Sequence, residues 1–294
     1  MYLVDLLVRE KFDLLIYHGL AQGGGEKVAH TLKKIFNCTC ISHALSMREI
    51  FKYVNADINN SILYTSGPRD LPMLIFSFFL RKKVAVYIQV PYLSSISVRK
   101  PLYTIIVFLY YCLINLFQFK VYVNSSNSGL GFSKYQILLP LKNKARNIKS
   151  IKITKRPTIY IVGRYNLEFG RSSRNINRIC QILEKLSSII DGCIEMRHYG
   201  SICQQYEGQL MKIDKVNFHS FGYVSDWSTK AKGIFLFNSN YEGFGLAAYE
   251  AAIGGNLVLV NDKFPVELKK EVESIYFYRS IKDCVSKLSK YYAM

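Results

Sequence analysis

Residues 233–260 read GIFLFNSNYEGFGLAAYEAAIGGNLVLV and contain, in order, a strand pattern, a glycine-bearing turn, a helix pattern and a second strand pattern. The apolar run 233–238 predicts a buried strand, and the helix is predicted from about Phe244 to Ile253. Parallel α/β sheets are built from this succession of strand, turn and helix. The free N–H groups and the positive dipole end at the start of such a helix favour a bound phosphate.

Two glutamates, Glu242 and Glu250, lie in this segment eight residues apart, which is about two helical turns. Glu242 stands at the carboxyl end of the predicted strand, before the turn. With this spacing, one carboxylate can face the sugar of a nucleotide sugar while the other reaches its ribose hydroxyls. The alternative interpretation is a helix N-cap glutamate followed by a solvated helix glutamate, and the setting EGFGLAAYEAAIGG favours the functional one.

The rest of the chain alternates strand and helix patterns in the same way, which predicts parallel sheets with helices on both faces. The strand patterns lie at 13–18, 61–66, 83–90 and 121–126 in the first half, and at 158–162, 193–200, 215–220, 256–260 and 274–278 in the second. Helices are predicted at 26–36, at 175–190 and from Ile281 onward. We therefore predict two doubly wound α/β domains with a ligand in the cleft between them, beyond the carboxyl ends of the strands.

The predicted domain boundary lies in a basic stretch, residues 141–157, which lacks aromatics and ends in proline. Within it we assign 149–157 as the linker. Residues 1–148 then form an acceptor-side domain and residues 158–294 a ligand-binding domain that carries the glutamate pair.

The charge is strongly positive and uneven. The formal net charge is +18, and residues 1–150 hold 19 lysines and arginines against 7 acids, whereas residues 151–294 hold 20 against 14. An acidic partner is expected, and nucleic acid, anionic lipid and phosphorylated substrates are the candidates. Nucleic acid is the weakest of these, because the aromatics lie within apolar runs and no recognition motif appears. The first half is the one expected to bind an anionic membrane surface.

Residues 101–119, PLYTIIVFLYYCLINLFQF, carry no charge over 19 residues, close to the length that spans a bilayer. Thr104, Asn115 and Gln118 interrupt the run, and tyrosines suit an interface better than a hydrocarbon centre. A buried or membrane-contacting helix is therefore the favoured interpretation, with a true span as the alternative.

Metal and cofactor chemistry have no support in the sequence. The seven cysteines include no C-x-x-C pair and are predicted to be reduced. The five histidines, His198 among them, have no metal-ligand spacing and are predicted to be packed or solvated. No Asp-x-Asp occurs, which argues against a metal-dependent GT-A transferase. We expect no cofactor and no metal requirement.

The glutamate segment resembles the E-x7-E signature of glycosyltransferase family 4 and its glycogen-synthase-like relatives. Three further stretches resemble the family in the same order along the chain. They are GLAQGGGEKVAHTL (19–32), similar to its N-terminal glycine-rich loop, IYIVGR (159–164), similar to the strand that opens its donor domain, and VNFHSFGYVSD (216–226), similar to the segment near its nucleotide base.

The resemblance implies the two-domain GT-B fold, with two Rossmann-like domains facing across a cleft, and a role for each matching residue. Arg164 would bind the donor diphosphate, Glu250 the ribose, and Glu242 would lie by the transferred hexose. The other implied donor contacts are from backbone or loop positions: Gly243, Phe244, Gly245 and Leu246 around the sugar and phosphate, Tyr223 and Val224 around the base, and Gly24 and Gly25 across the cleft.

Two positions depart from the family pattern. Phe169 and Gly170 stand where the family has a lysine, and we expect Arg171 or Arg174 to supply the second cation. Gln89 stands about where an N-domain histidine is common, so it is the acceptor-side candidate.

The function that the resemblance implies is hexose transfer with retention of configuration. The donor would be a nucleoside-diphosphate sugar, and the acceptor a lipid-linked oligosaccharide or a lipopolysaccharide or polysaccharide. We expect a cytoplasmic protein, peripheral on the inner face of the cell membrane. The alternatives are an epimerase-like enzyme of the same fold and an inactive GT-B scaffold.

Overall fold

The computed structural model describes residues 11–17, 24–42, 46–56, 61–89, 101–137, 156–165, 175–240 and 242–292. The chain divides into two compact units, Met1–Asn143 and Lys144–Met294, and each contains a six-stranded parallel sheet with helices. The predicted α/β fold is therefore confirmed. Of the predicted linker 149–157, only Arg156 and Pro157 are among the described residues.

The first unit alternates strands and helices from its first described residues. Its elements are β1 Leu14–Tyr17, α1 Gly24–Phe36, β2 Thr39–Ser42, α2 Met47–Asn55, β3 Ser61–Tyr64, a 3-10 turn Gly67–Asp70, α3 Leu71–Phe79, β4 Lys83–Ile88, α4 Pro101–Leu116, β5 Lys120–Val123, α5 Ser126–Gly129 and β6 Gln136–Ile137. The strand order is β2-β1-β3-β4-β5-β6. β2 and β6 were not predicted from the sequence, nor were α2, α3 and α5.

The second unit repeats the alternation. Its elements are β7 Ile159–Val162, α6 Ile176–Ser187, β8 Ile194–Tyr199, α7 Gln204–Met211, β9 Val216–Ser220, α8 Trp227–Lys230, β10 Ile234–Phe237, α9 Leu246–Ile253, β11 Leu257–Asn261, α10 Val266–Glu271, β12 Ile275–Tyr278 and α11 Ile281–Ser289. The strand order is β12-β11-β10-β7-β8-β9.

The central strands of the second unit are buried along their whole length. All residues of β7 (IYIV), β10 (IFLF) and β11 (LVLVN) are buried. Continuous apolar runs of this kind are typical of parallel strands covered by helices on both faces. The predicted strand was one residue longer than β7 and two residues longer than β10, and the one predicted for β11 had the right length but began one residue early.

The direction of winding reverses once in each sheet. In the second unit the chain runs from β7 through β8 to β9 and then returns to place β10 on the other side of β7. In the first unit the same reversal falls between β1 and β3. The loops that follow the two strands diverge at such a point, and a crevice opens there at the carboxyl edge of the sheet.

Helix α4 accounts for most of the charge-free segment 101–119. It buries Val107, Tyr110, Tyr111 and Ile114 in the core of the first unit, and its other side is exposed. Among the described residues, no helix combines the length and apolar character needed to cross a membrane. All seven cysteines are free thiols.

Candidate functional site

The predicted donor residues gather at the carboxyl edge of the second sheet. Arg164 lies two residues after the end of β7, and Glu242 lies in the turn after β10, the strand paired with β7. Arg164 and Glu242 therefore flank the point where the winding reverses. Tyr223 follows β9, on the far side of β8 along the same edge. Residues that are up to 78 positions apart in sequence thus lie along one sheet edge in the order Glu242, Arg164, Tyr223.

Glycines bring the loops after β7, β8 and β9 into direct backbone contact. The Gly163 N–H donates to the Tyr199 carbonyl at 3.0 Å, and the Gly200 N–H donates to the Gly222 carbonyl at 2.6 Å. Gly163 and Gly200 have φ of 131° and 129°. A Cβ on Gly200 would lie 2.2 Å from the Gly163 oxygen, so no other residue fits without movement of the backbone. The edge beside Arg164 is consequently built of main chain, which can approach a phosphate closely.

His198 holds this backbone in place through hydrogen bonds. Its ring is fully buried, with Nε2 2.9 Å from the Gly163 oxygen and Nδ1 3.0 Å from Ser220 Oγ. A carbonyl only accepts, so Nε2–H donates to Gly163, and in the neutral ring Nδ1 accepts from the Ser220 hydroxyl. Burial lowers the pKa of His198, although the Gly163 hydrogen bond acts in the opposite direction. A neutral imidazole therefore holds the peptide immediately before Arg164.

Asn261, at the end of β11, fixes the segment that leads to Glu242. Its Oδ1 accepts from the Ser239 N–H at 3.1 Å, and its Nδ2 donates to the Ser239 carbonyl at 2.7 Å. The Ser239 hydroxyl in turn donates to Glu242 Oε2 at 3.4 Å. Asn261 is buried, and its side-chain amide bonds both the N–H and the carbonyl of Ser239, as the backbone of a neighbouring strand would. The turn after β10 is therefore held in place at Ser239.

Helix α9 begins at a glycine that cannot be replaced without strain. Gly245, the residue before the helix, has φ 85° and ψ 48°, and a Cβ there would lie 2.7 Å from the Phe264 ring. Phe244 is buried and packs against Tyr249, with 5.7 Å between ring centroids. Phe244 can therefore offer only its backbone to a ligand. Glu250 is the fifth residue of α9 and is half-buried.

Asn175 links the start of α6 to the turn after β10. Its side chain caps α6 by accepting from the Arg178 N–H at 3.1 Å, its own N–H donates to the Asn238 carbonyl at 3.0 Å, and its Nδ2 lies 3.3 Å from Asn240 Oδ1. The start of α6 thus joins the same edge of the sheet. Arg171 and Arg174, the two candidates for the second cation, lie outside the described residues.

A row of aromatic rings crosses the second sheet and ends at its carboxyl edge. Trp227 contacts Phe235 at 5.4 Å, Phe235 stacks on Tyr160 at 4.9 Å, and Tyr160 stacks on Tyr199 at 5.9 Å. Tyr199 then contacts Phe221 at 5.7 Å.

The far end of this row is open to solvent. Phe221 is 50% exposed and Tyr223 is 62% exposed, whereas Val224 is half-buried. An exposed aromatic pair at the edge of the sheet provides a surface on which a planar base can stack.

The remaining predicted contacts lie in the first unit. Gly24 and Gly25 are the first residues of α1. Gln89 follows β4, and its carbonyl accepts from Asn124 Nδ2 at 2.8 Å, while Ser128 donates to Asn124 Oδ1 at 2.7 Å. Asn124 therefore holds the Gln89 backbone, and the half-buried Gln89 side chain remains the acceptor-side prediction.

No cluster of three or more His, Cys, Asp or Glu side chains that could hold a metal ion occurs in the described ranges. Arg164 places one guanidinium cation at the reversal point of the second sheet.

Among known proteins, similarity to this chain is found in solved structures and not in sequence. No protein-family model and no curated protein sequence matches the chain. Among solved structures, HepE from Anabaena, crystallised with UDP and glucose, superposes with a TM-score of 0.68 at 12% identity, covering 97% of this chain and 92% of its own. A glycosyltransferase from Rickettsia africae gives 0.60 at 13% identity, covering 97% and 89%.

TarM gives a TM-score of 0.58 at 15% identity, covering 81% of this chain and 49% of its own. The fold is GT-B. At sequence identities this low, the similarity shows the fold alone. The predicted GT-B fold is therefore confirmed, whereas membership of glycosyltransferase family 4 stays a prediction. The carboxyl edge of the second unit then corresponds to the place where open α/β sheets bind their ligands.

Proposed function

We propose that this GT-B protein is a retaining glycosyltransferase that transfers a hexose from a nucleoside-diphosphate sugar. The observation that carries the proposal is that Arg164 and Glu242 lie on either side of the reversal point of the second sheet, next to a backbone edge and a helix start. A cation and the N–H groups at the start of α9 match a diphosphate, and a carboxylate beside them matches the sugar that the diphosphate carries. HepE, which shares the fold, has been crystallised with UDP and glucose and with UDP-glucose.

Each residue has a separate task in the proposed reaction. The Arg164 guanidinium stabilises the leaving diphosphate as negative charge develops on it, and the N–H groups at the start of α9 add to this. Glu250 binds the ribose hydroxyls, and Tyr223 with Phe221 stacks on the base. Glu242 lies beside the hexose. A phosphate oxygen of the donor assists the incoming hydroxyl on the face that the diphosphate leaves, which retains the anomeric configuration.

The proposed acceptor is a lipid-linked oligosaccharide, a lipopolysaccharide or a polysaccharide at the cytoplasmic membrane face. Support comes from the positive surplus of the first half of the chain, since glycan chains of this kind are assembled on lipids with phosphate groups. Gln89, after β4, is the residue proposed to face the acceptor.

A panel of nucleotide sugars tests the donor site in the purified protein. The correct donor at 100 times its Kd stabilises the protein by about 2.7 kcal/mol through mass action. We expect one nucleoside-diphosphate hexose to raise the Tm of the wild type and to lose this effect with Arg164→Ala, but not with Arg81→Ala in the first unit. The anomer released on donor hydrolysis, followed by NMR, reports retention.

Two outcomes contradict the proposal. If no nucleotide sugar raises the Tm, or if Arg164→Ala responds as the wild type does, the donor site is wrong. Binding without hydrolysis or transfer favours an inactive scaffold, and conversion of the donor into its epimer favours the epimerase.

A further inference from the structure

The first unit exposes a continuous apolar surface on α3 and α4, and this surface takes no part in the donor site. We refer to the exposed side chains of Phe78, Phe79, Ile105, Phe108, Leu109 and Leu116 as the apolar face. On α4 the exposed apolar positions recur every three or four residues, so they form one stripe along the helix. With 16 residues, α4 is roughly 24 Å long, and it carries no charge.

The ends of the two helices meet in an aromatic cluster. The ring of Phe78 lies 3.9 Å from that of Phe117 and 6.3 Å from that of Phe119. Neighbouring Phe79 is 75% exposed. Large exposed apolar surfaces of this extent are uncommon in monomeric soluble proteins and mark interaction sites.

Basic residues surround the same helix ends. Lys120 and Lys134 line a cavity of about 540 Å³ together with Phe119 and the last turn of α4. Lys120 also borders a second cavity of about 260 Å³ with Lys11 and Lys83. Partial burial lowers the pKa of Lys120, because desolvation disfavours its charged form.

The sequence that contains these helices is rich in cations and poor in acids. Among the described residues, the Asp13 carboxylate interacts with Lys11 and accepts both the Ser61 N–H and the Ser61 hydroxyl at 2.9 Å. Beyond it the sequence has no Asp or Glu from residue 71 to residue 167, a stretch that holds fifteen lysines and arginines. An apolar stripe bordered by cations of one sign fits a bilayer with anionic headgroups, in which the apolar side chains enter the acyl boundary.

We propose that the apolar face of α3 and α4 docks on an anionic lipid bilayer, with Lys83, Lys120 and Lys134 in the headgroup layer. A second copy of the chain is the weaker occupant, because pairing two such faces would bring two sets of lysines together. The role of this docking, which is to bring the enzyme to a lipid-linked acceptor, rests on the proposed transferase function. Membrane binding itself can be measured without any transferase activity.

Cosedimentation of the full chain with phosphatidylcholine vesicles, with and without phosphatidylglycerol, tests the surface. We expect binding to the anionic vesicles to exceed binding to the neutral ones and to fall with salt as the Debye length shrinks below about 10 Å. Phe108→Ser with Leu109→Ser should weaken binding at least about tenfold. Lys83→Glu with Lys134→Glu should weaken it roughly 25-fold or more, at about fivefold for each lysine removed.

Matched changes in the second unit serve as controls. Ile189→Ser removes an equally exposed apolar side chain, and Lys212→Glu with Lys282→Glu makes the same charge change. The apolar control should leave vesicle binding as in the wild type, and the charge control should weaken it several-fold less than the Lys83 and Lys134 pair. All variants should keep the stabilisation by donor, so a failure of docking is distinguishable from a failure of the donor site.

Three results would overturn the proposal: a wild type that ignores anionic vesicles at low salt, face variants that bind as well as the controls, and a dimer in solution that the face variants disperse while vesicle binding persists. The last result would assign the face to a second copy.

Discussion

The carboxyl edge of the second sheet and the apolar face of the first unit are held in opposite ways. At the edge, directional hydrogen bonds fix each backbone segment: His198 holds Gly163, and Asn261 holds Ser239. On the apolar face the side chains are exposed, and Phe78 packs on the neighbouring Phe117 by a non-directional ring contact. Fixed donors suit a ligand of defined shape, whereas a non-directional surface suits a fluid partner such as a bilayer. The comparison predicts that changes at one region leave the function of the other intact.

The largest effects are expected at the two glutamates. Glu242→Gln should mainly lower kcat, because the carboxylate beside the hexose matters most as charge develops. Glu250→Gln should mainly raise the KM for the donor, since the proposed contact of Glu250 with the ribose is made before and during the reaction alike. Each loss is on the order of 2–4 kcal/mol, roughly 30- to 1000-fold. Steady-state kinetics separate the two, and vesicle binding should be unchanged. Wild-type rates in both folded variants would refute the site.

Glycine substitutions measure how rigid the edge is. Gly200→Ala should destabilise the protein by about 2 kcal/mol or more, because its Cβ would lie 2.2 Å from the Gly163 oxygen and its φ is positive. The control is Gly208→Ala, a helical glycine of α7 whose Cβ would meet nothing within 4 Å, and this change should stabilise by up to about 1 kcal/mol. Calorimetry measures both. Equal effects of the two changes would show that the edge tolerates movement.

His198 gives the edge a pH dependence. Its pKa is lowered in the folded protein from an ordinary value of 6.5, so the unfolded chain binds a proton first as the pH falls. The free energy of unfolding should therefore decrease as the pH falls through about 6.5, until the pH is below the folded-state pKa. Denaturant titrations between about pH 8 and about pH 5 should show a smaller decrease in His198→Gln than in the wild type. His219→Gln, at an exposed position, should behave as the wild type does.

The smallest expected effect is that of chelation. Donor binding and transfer should persist in EDTA, because Arg164 and the N–H groups of α9 take the place of a divalent cation. Complete loss of activity in EDTA, restored by manganese, would contradict the proposed mechanism.

The sequence was sufficient for the features that repeat locally. Continuous apolar strands such as IYIV and IFLF, each followed by a helix pattern, predicted the α/β fold. The helix predicted from about Phe244 to Ile253 begins two residues later, at Leu246, and ends as predicted. β2 was not predicted, because TCIS is short and only Ile41 in it is buried. α2 has a sequence signal that was overlooked, a capping box in which Ser46 and Glu49 bond each other's backbone N–H.

The supporting residues of the site were harder to predict, since their roles depend on contacts between distant segments. The alternation of Ile194, Met196 and His198 places the histidine on the core face of β8, but its Gly163 partner is 35 residues away. Asn261 ends the apolar run LVLVN, and that polar residue at the end of a buried strand is the one local signal for its pairing with Ser239. Whether Arg171 or Arg174 supplies the second cation stays open, because both lie outside the described residues.

The row of rings behind the donor edge has a practical consequence. The chain has a single tryptophan, Trp227, and it is buried at one end of this row against Phe235. Indole fluorescence therefore originates in the second unit alone, in a ring whose neighbours lead through Tyr160 and Tyr199 to Phe221. The protein carries its own optical probe of the second unit, and an emission shift on ligand addition or on denaturation can be assigned to that unit without a label.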